Sequence, residues 1–219
     1  LSGVKNKNIT EANSKSGFEN LTVRQISMYA FYGCTSLKKV DLSQTEITEI
    51  GGRSFYNCTS LETISLPKTL TQIGRYAFYG CTALKGMDLS QTGITEIVEQ
   101  TFYKCTSLET ISLPKTLTNI GKIFDGCTSL KNVDLSQTKI TEIQDETFYS
   151  SGIENIKFPE TLTKIGKYAF GECYSLKEID LSRTKVTEIQ DYAFTGNSKL
   201  KSVIVPNSLT LENHSLGIC

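Results

Sequence analysis

Eight phenylalanines recur along this chain at a nearly constant interval, and no other feature restricts the fold as much. Phe31, Phe55, Phe78, Phe102, Phe124, Phe148, Phe170 and Phe194 follow one another at steps of 22 to 24 residues. A period of that size belongs to solenoids. A unit of about 23 residues cannot bury its own apolar side, but stacking sets each apolar side chain on its counterpart in the next coil and makes one continuous core. Ahead of the Phe stands an aliphatic-Thr-x-Ile element, as in Leu70-Thr71-Gln72-Ile73 and Ile94-Thr95-Glu96-Ile97. Behind it comes an aliphatic residue, two further residues and then aliphatic-x-aliphatic, as in Leu84-Lys85-Gly86-Met87-Asp88-Leu89, which reads as a strand. Counted from the opening aliphatic residue, eight full repeats begin at Val23, Ile47, Leu70, Ile94, Leu117, Ile140, Leu162 and Val186.

The repeats are of two kinds in alternation. Odd ones end in Asp-Leu-Ser-Gln/Arg-Thr, at Asp41, Asp88, Asp134 and Asp180, whereas even ones end at Pro67, Pro114, Pro159 and Pro206. The unit of duplication is therefore a pair. Proline cannot extend a ladder, so it marks where the even strand ends; the Ser-Gln-Thr of the odd kind turns the chain through side-chain hydrogen bonds to backbone.

The motif aliphatic-Thr-x-Ile-Gly-x-Tyr-Ala-Phe-x-Gly-Cys-Thr-Ser-Leu-Lys, followed by Ile-x-Leu-Pro, resembles the BspA-type, or treponemal-type, leucine-rich repeat from Val23 to Cys219. The resemblance implies an α/β-type repeat solenoid that is mostly β: right-handed, curved, with a parallel sheet and little regular helix. It also implies proteins displayed on the surface of bacteria and some protists and associated with adhesion. Residues 1–22 are polar and poorly periodic and read as a degenerate repeat or N-terminal cap, residues 23–208 as the eight repeats, and residues 209–219 as a partial ninth repeat or C-terminal cap. In the tail, either Leu209, Leu211, Leu216 and Ile218 fold over Val203 and Val205 as a cap or the array continues in a longer protein, the option that the resemblance favours.

In a stacked solenoid a repeat position becomes a row. Three residues after Phe lie Cys34, Cys58, Cys81, Cys105, Cys127 and Cys173, with Ser151 and Asn197 in the remaining copies, and Cys219 falls on the same row. Parallel side chains in register do not point at one another, so reduced packing cysteines are expected rather than disulfides or a zinc site. Lys38, Glu62, Lys85, Glu109, Lys131, Glu154, Lys177 and Lys201 form a row of alternating charge until its last step, and read as a salt-bridge ladder. Tyr32, Tyr56, Tyr79, Tyr103 and Tyr149 follow the Phe and read as a half-buried edge of the core. The Thr row, from Thr48 to Thr210, reads as a second extended segment.

Strand alternation turns Val40 and Leu42 inward and Lys39, Asp41 and Ser43 outward, with equivalents in each copy. Departures from the repeating outer pattern gather late. Asn155, Lys157, Glu178, Lys201, Ser202 and Ile204, flanked by Asp134 and Asp180, are the candidate partner-binding residues. Lys+Arg and Asp+Glu number 23 each, which gives none of the electrostatic footprint of a nucleic-acid or anionic-membrane binder. No apolar run suits a membrane span. The single histidine, His214, lies in the irregular tail, and no phosphate loop, His-Glu-x-x-His or Cys-x-x-Cys occurs, so neither catalysis nor a cofactor is expected. The reading is a monomeric, non-enzymatic scaffold at the cell surface or secreted, binding a protein or an extended polymer. A spacer of a larger surface protein and an intracellular scaffold or effector are the alternatives.

Overall fold

The structure, a computed structural model, describes residues 11–13, 24–207 and 209. Coils 1 to 8 are numbered by the repeats opening at Val23 through Val186. Each contributes a two-residue strand, a run of turns around its Phe and a three-residue strand. The short strands are β2 (Gln25–Ile26), β4 (Glu49–Ile50), β6 (Gln72–Ile73), β8 (Glu96–Ile97), β10 (Asn119–Ile120), β12 (Glu142–Ile143), β14 (Lys164–Ile165) and β16 (Glu188–Ile189). The long strands are β3 (Lys39–Asp41), β5 (Thr63–Ser65), β7 (Gly86–Asp88), β9 (Thr110–Ser112), β11 (Asn132–Asp134), β13 (Asn155–Lys157), β15 (Glu178–Asp180) and β17 (Ser202–Ile204), preceded by β1 (Glu11–Asn13), which pairs with β3. All recorded pairing is parallel and in repeat register, for example Val40 with Ile64 and Ile50 with Ile73. Among the described residues there is no helix. The expected parallel-strand solenoid is the observed fold, and the Thr row is the second extended segment that the sequence implies.

The core is a bundle of rows running along the stack. Ile50, Phe55, Cys58 and Leu61 are fully buried in coil 2, as are their equivalents Ile97, Phe102, Cys105 and Leu108 in coil 4. The eight phenylalanine rings form one continuous stack from Phe31 to Phe194, with centroids 5.0 to 6.1 Å apart and planes within 15° of parallel. Because this spacing slightly exceeds the rise between adjacent strands, the rings sit offset, which suits their quadrupoles better than a face-to-face sandwich.

The turn run has an unusual backbone. In most coils the residues two before and two after the Phe have positive φ, as at Tyr29 (61°) and Gly33 (66°) or Arg53 (54°) and Asn57 (53°). A non-glycine residue there costs about 1–2 kcal/mol. The conformation aims alternate N–H groups along the solenoid axis: Tyr29 donates to Gly52 O (3.2 Å), Phe31 to Ser54 O (2.7 Å) and Gly33 to Tyr56 O (2.8 Å), and the same set recurs at Arg53, Phe55 and Asn57. These bonds all run from one coil to the next, so backbone that no strand ladder could satisfy is paired.

The cysteine row serves this same backbone. Cys58, Cys81, Cys105, Cys127 and Cys173 each donate Sγ–H to the carbonyl of the Phe in the preceding coil, at 3.0 to 3.1 Å. In coil 8, Asn197 replaces the thiol and gives Nδ2 to Phe170 O (2.8 Å) and Phe194 O (2.7 Å). Burial pushes the thiols of Cys58 and Cys105 up to about 12 and that of Cys173 to about 11. Cys219 lies outside the described residues, as do Leu211, Leu216 and Ile218 of the expected C-terminal cap; Leu209 is half-buried against the core.

The ladders are interrupted in a staggered way. Pairing of the long strands joins β1-β3-β5, β7-β9, β11-β13 and β15-β17, so it lapses after coils 2, 4 and 6, whereas that of the short strands joins β2-β4-β6, β8-β10 and β12-β14-β16 and lapses after coils 3 and 5. No junction between described coils loses both ladders. Phe102→Ala, which removes the ring between Phe78 and Phe124, is expected to cost about 3–5 kcal/mol in chemical denaturation, because a ring stacked on both faces leaves a cavity that the coils cannot close. The thiols are expected to resist a thiol reagent at pH 8 in the folded protein and to react on unfolding. A raised folded pKa contributes stability that is present below the thiol's unfolded value, near 8.5, and falls away as pH rises toward 12; equilibrium unfolding measured between pH 8 and 11 checks this sign.

Candidate protein-binding face

The outward side chains of the long strands follow from strand alternation. Val40, Met87, Val133 and Ile179 are buried while Asp41, Asp88, Asp134 and Asp180 beside them are exposed. Those aspartates are engaged locally. The Oδ1 atoms accept the backbone N–H of Ser43, Ser90, Ser136 and Ser182 at 2.9 to 3.0 Å. Thr45, Thr92, Thr138 and Thr184 close the same turns by donating Oγ1–H to the carbonyls of Leu42, Leu89, Leu135 and Leu181 at 2.7 Å. Hydrogen bonding from these serines holds the Asp41, Asp134 and Asp180 carboxyls below their ordinary value, with Lys157 adding to the effect at Asp134. In even coils the turn is closed by Leu70, Leu117 and Leu162, whose N–H groups donate to the carbonyls of Pro67, Pro114 and Pro159.

All eight candidate residues lie on or immediately beside this face, and the structure divides them into two groups. Asp134, Asn155 and Lys157 come together on β11 and β13. Lys157 Nζ is 3.4 Å from Asp134 Oδ2, and Asn155 Nδ2 donates to Asn132 Oδ1 at 2.9 Å. With Ile111 and Ile156 they line a groove of about 390 Å³. It lies across β9, β11 and β13, and Ile111 and Ile156 on its floor, inward by alternation, are half-buried, whereas Val133 between them is buried. Glu178, Asp180, Ser202 and Ile204 occupy the next two strands, with Asp180 opposite Ile204, and Lys201 precedes β17. They do not line the groove. Ile204 stands 43% exposed, an apolar side chain in a row of polar ones.

The charge ladder forms in coils 5 to 7, where Glu154 lies 3.2 Å from Lys131 and 3.0 Å from Lys177. Both lysines hold the Glu154 carboxyl below its usual range. Elsewhere on the row, among the described residues, no ion pair is recorded, since exposed long side chains lose more freedom in pairing than they gain in attraction.

Opposite chemistry appears around the turns, and sequence reading missed part of it. Tyr32, Tyr56, Tyr79 and Tyr103 stack at 4.5 to 5.0 Å, but Tyr149 does not continue the stack. Coil 5 has one residue fewer between its short strand and Phe124, and Asp125 stands in the tyrosine slot, paired with Lys122 at 3.1 Å. Lys122 also pairs with Glu146. A polar notch of about 560 Å³ results, bounded by Glu99, Lys122, Glu142, Asp145 and Glu146 among others. Its signal in the sequence is Gly121-Lys122-Ile123-Phe124, which holds one residue fewer ahead of the Phe than Gly74-Arg75-Tyr76-Ala77-Phe78. Arg53 lies over the rings of Tyr29 and Tyr76, at 5.8 and 4.7 Å, an arrangement with no signal in a single repeat. His214 lies outside the described residues.

A family model for the BspA type leucine rich repeat region matches in 6 copies, over residues 8–123 and 95–219. No curated protein sequence matches. Solved structures similar to this chain include a leucine-rich repeat protein of T. pallidum (25% identity, 94% of this chain and 74% of that one, TM-score 0.47). A leucine rich cell surface protein of Faecalibacterium prausnitzii is similar at 18% identity over 93% of this chain and 79% of that one, with a TM-score of 0.45. A chain of the Drosophila Toll–Spatzle complex matches at 16% identity over 84% of this chain and 25% of that one, with a TM-score of 0.59, a likeness of fold alone.

The depressed aspartates carry a sign. A carboxyl whose folded pKa lies below its unfolded value, near 3.9, contributes stability that is present above that value and lost as pH falls through the folded one. Replacing Asp41, Asp134 and Asp180 together by Ala is expected to lower the unfolding midpoint at pH 7 and to flatten the loss of stability below about pH 4, as read by denaturation at pH 7, 4 and 2.5.

Proposed function

The chain belongs to the BspA-type leucine-rich repeat family, and on that premise we propose that it is a non-enzymatic protein-binding scaffold that meets its partner across the exposed face of its long strands, in coils 5 to 8. The observation that supports this reading most is the change on that face. Through coil 3 its outward polar residues lie over the buried Val40, Ile64 and Met87. From β9 onward it offers a groove with half-buried isoleucines, an amide pair at Asn132 and Asn155, and then the exposed Ile204. Apolar area framed by polar groups is the composition of a protein interface.

Eight strands at about 4.8 Å span roughly 35 to 40 Å, the scale of a protein or extended polymer rather than a metabolite. Catalysis has no support here, because the outward carboxylates are exposed and committed to turns instead of sharing a closed pocket. The family resemblance supports display at the cell surface or secretion, with an adhesin-like role.

The test is binding to a panel of immobilised cell-surface and extracellular-matrix proteins. Against a protein that binds the native chain, Lys157→Glu combined with Ile204→Asp is expected to weaken affinity tenfold or more, about 1.4 kcal/mol. Thermal unfolding should move little, because both side chains are exposed and a surface ion pair such as Lys157–Asp134 is worth at most about 1 kcal/mol. Binding that survives this change but is lost on replacing Tyr56, Tyr79 and Tyr103 by Ala would transfer the site to the turns.

A further inference from the structure

Two adjoining rows on the turns are self-complementary when reversed. The first runs Tyr29, Arg53, Tyr76, Gln100, a gap at coil 5, Glu146, Tyr168, Tyr192. The second runs Met28, Gly52, Arg75, Glu99, Lys122, Asp145, Lys167, Asp191. Coils 1 to 3 thus carry Arg53 and Arg75 and no acid on these rows, a charge of +2. Coils 6 to 8 carry Asp145, Glu146, Asp191 and Lys167, three acids less one base, or −2. The exposed large apolar side chains of these rows also lie at the two ends, Met28 (60%) and Tyr29 (44%) in coil 1 and Tyr192 (47%) in coil 8.

We propose that this double row is the interface of an antiparallel dimer, in which a second copy of the chain packs so that coil 1 faces coil 8 and coil 3 faces coil 6. A two-fold axis between coils 4 and 5 sets Arg75 against Asp145 of the other copy, Glu99 against Lys122, Arg53 against the ring of Tyr168, and Tyr29 against Tyr192. Each contact occurs twice, as an isologous interface requires. Arg75, Glu99 and Asp145 have capacity to spare, and Lys122, already paired with Asp125 and Glu146, would share its ammonium with a third carboxylate. Arg75 and Glu99 pair within the chain but are 58% and 57% exposed. Asp145 Oδ1 accepts the N–H of Lys167 at 2.8 Å, which leaves Oδ2 for a partner. The missing residue of coil 5 leaves the polar notch next to the axis.

A strip of eight coils is about 35 to 40 Å long. A width of about 15 Å, the reach of long side chains from two rows, gives about 550 Å² per copy, just above the roughly 1,000 Å² total that separates specific interfaces from chance contacts. A micromolar, salt-sensitive dimer is the expected strength, where the sequence alone led to a monomer. Because the long-strand face stays open, this inference is independent of the proposed function.

Sedimentation velocity of the whole chain from about 1 to 300 µM in low salt is expected to show the mass of one chain rising toward two, and to fall back in high salt, since the paired charges are exposed and screened. Arg75→Glu and Asp145→Arg should each abolish association, and the two together restore it, because the swap regenerates both inter-copy pairs. Asp145→Arg also removes the bond to Lys167 N–H, so circular dichroism confirms its fold. Glu99→Lys, at an exposed site, gives a second reading, with loss of the dimer expected. A chain that stays monomeric throughout this range overturns the proposal, and so does a dimer indifferent to Arg75→Glu and Glu99→Lys.

Discussion

The fold depends on each phenylalanine stacking in register on the next while the backbone on either side of it donates forward to the following coil. A ring in this stack has an aromatic neighbour above and below, and its carbonyl takes an N–H from within its own coil and, in five cases, a thiol from the next. Neither the neighbouring rings nor the thiol exists in an isolated repeat. Stability therefore resides in the junctions between coils.

The staggered lapses in strand pairing connect cohesion with accessibility. Where the long strands part, the short strands and the turn bonds still join the coils, so the outer face can open without creating a plane of weakness. The groove on which the functional reading rests crosses one of these junctions, between β9 and β11.

The two faces also use charge differently. On the long strands it is largely spent locally, on aspartate-capped turns and on the Lys131–Glu154–Lys177 bridge. Around the turns it is distributed unevenly from one end to the other, with arginines over tyrosine rings in the early coils and carboxylates in the late ones.

Much of this was legible in single residues read as rows. The recurrent Phe, the aliphatic-x-aliphatic strands, the Thr row and the in-register Cys row established the solenoid, its parallel strands and its reduced interior, because burial by identical neighbours leaves one solution to a 23-residue period. The lateral placement of all eight candidate residues followed from alternation. Three things did not. The thiol bond to the preceding Phe carbonyl, the groove at the unpaired junction and the stack of Arg53 between Tyr29 and Tyr76 depend on the offset between successive coils and on which ladders close. A repeat read by itself carries its inward and outward pattern but not the distance to its neighbour, and that distance is decided only when the coils pack.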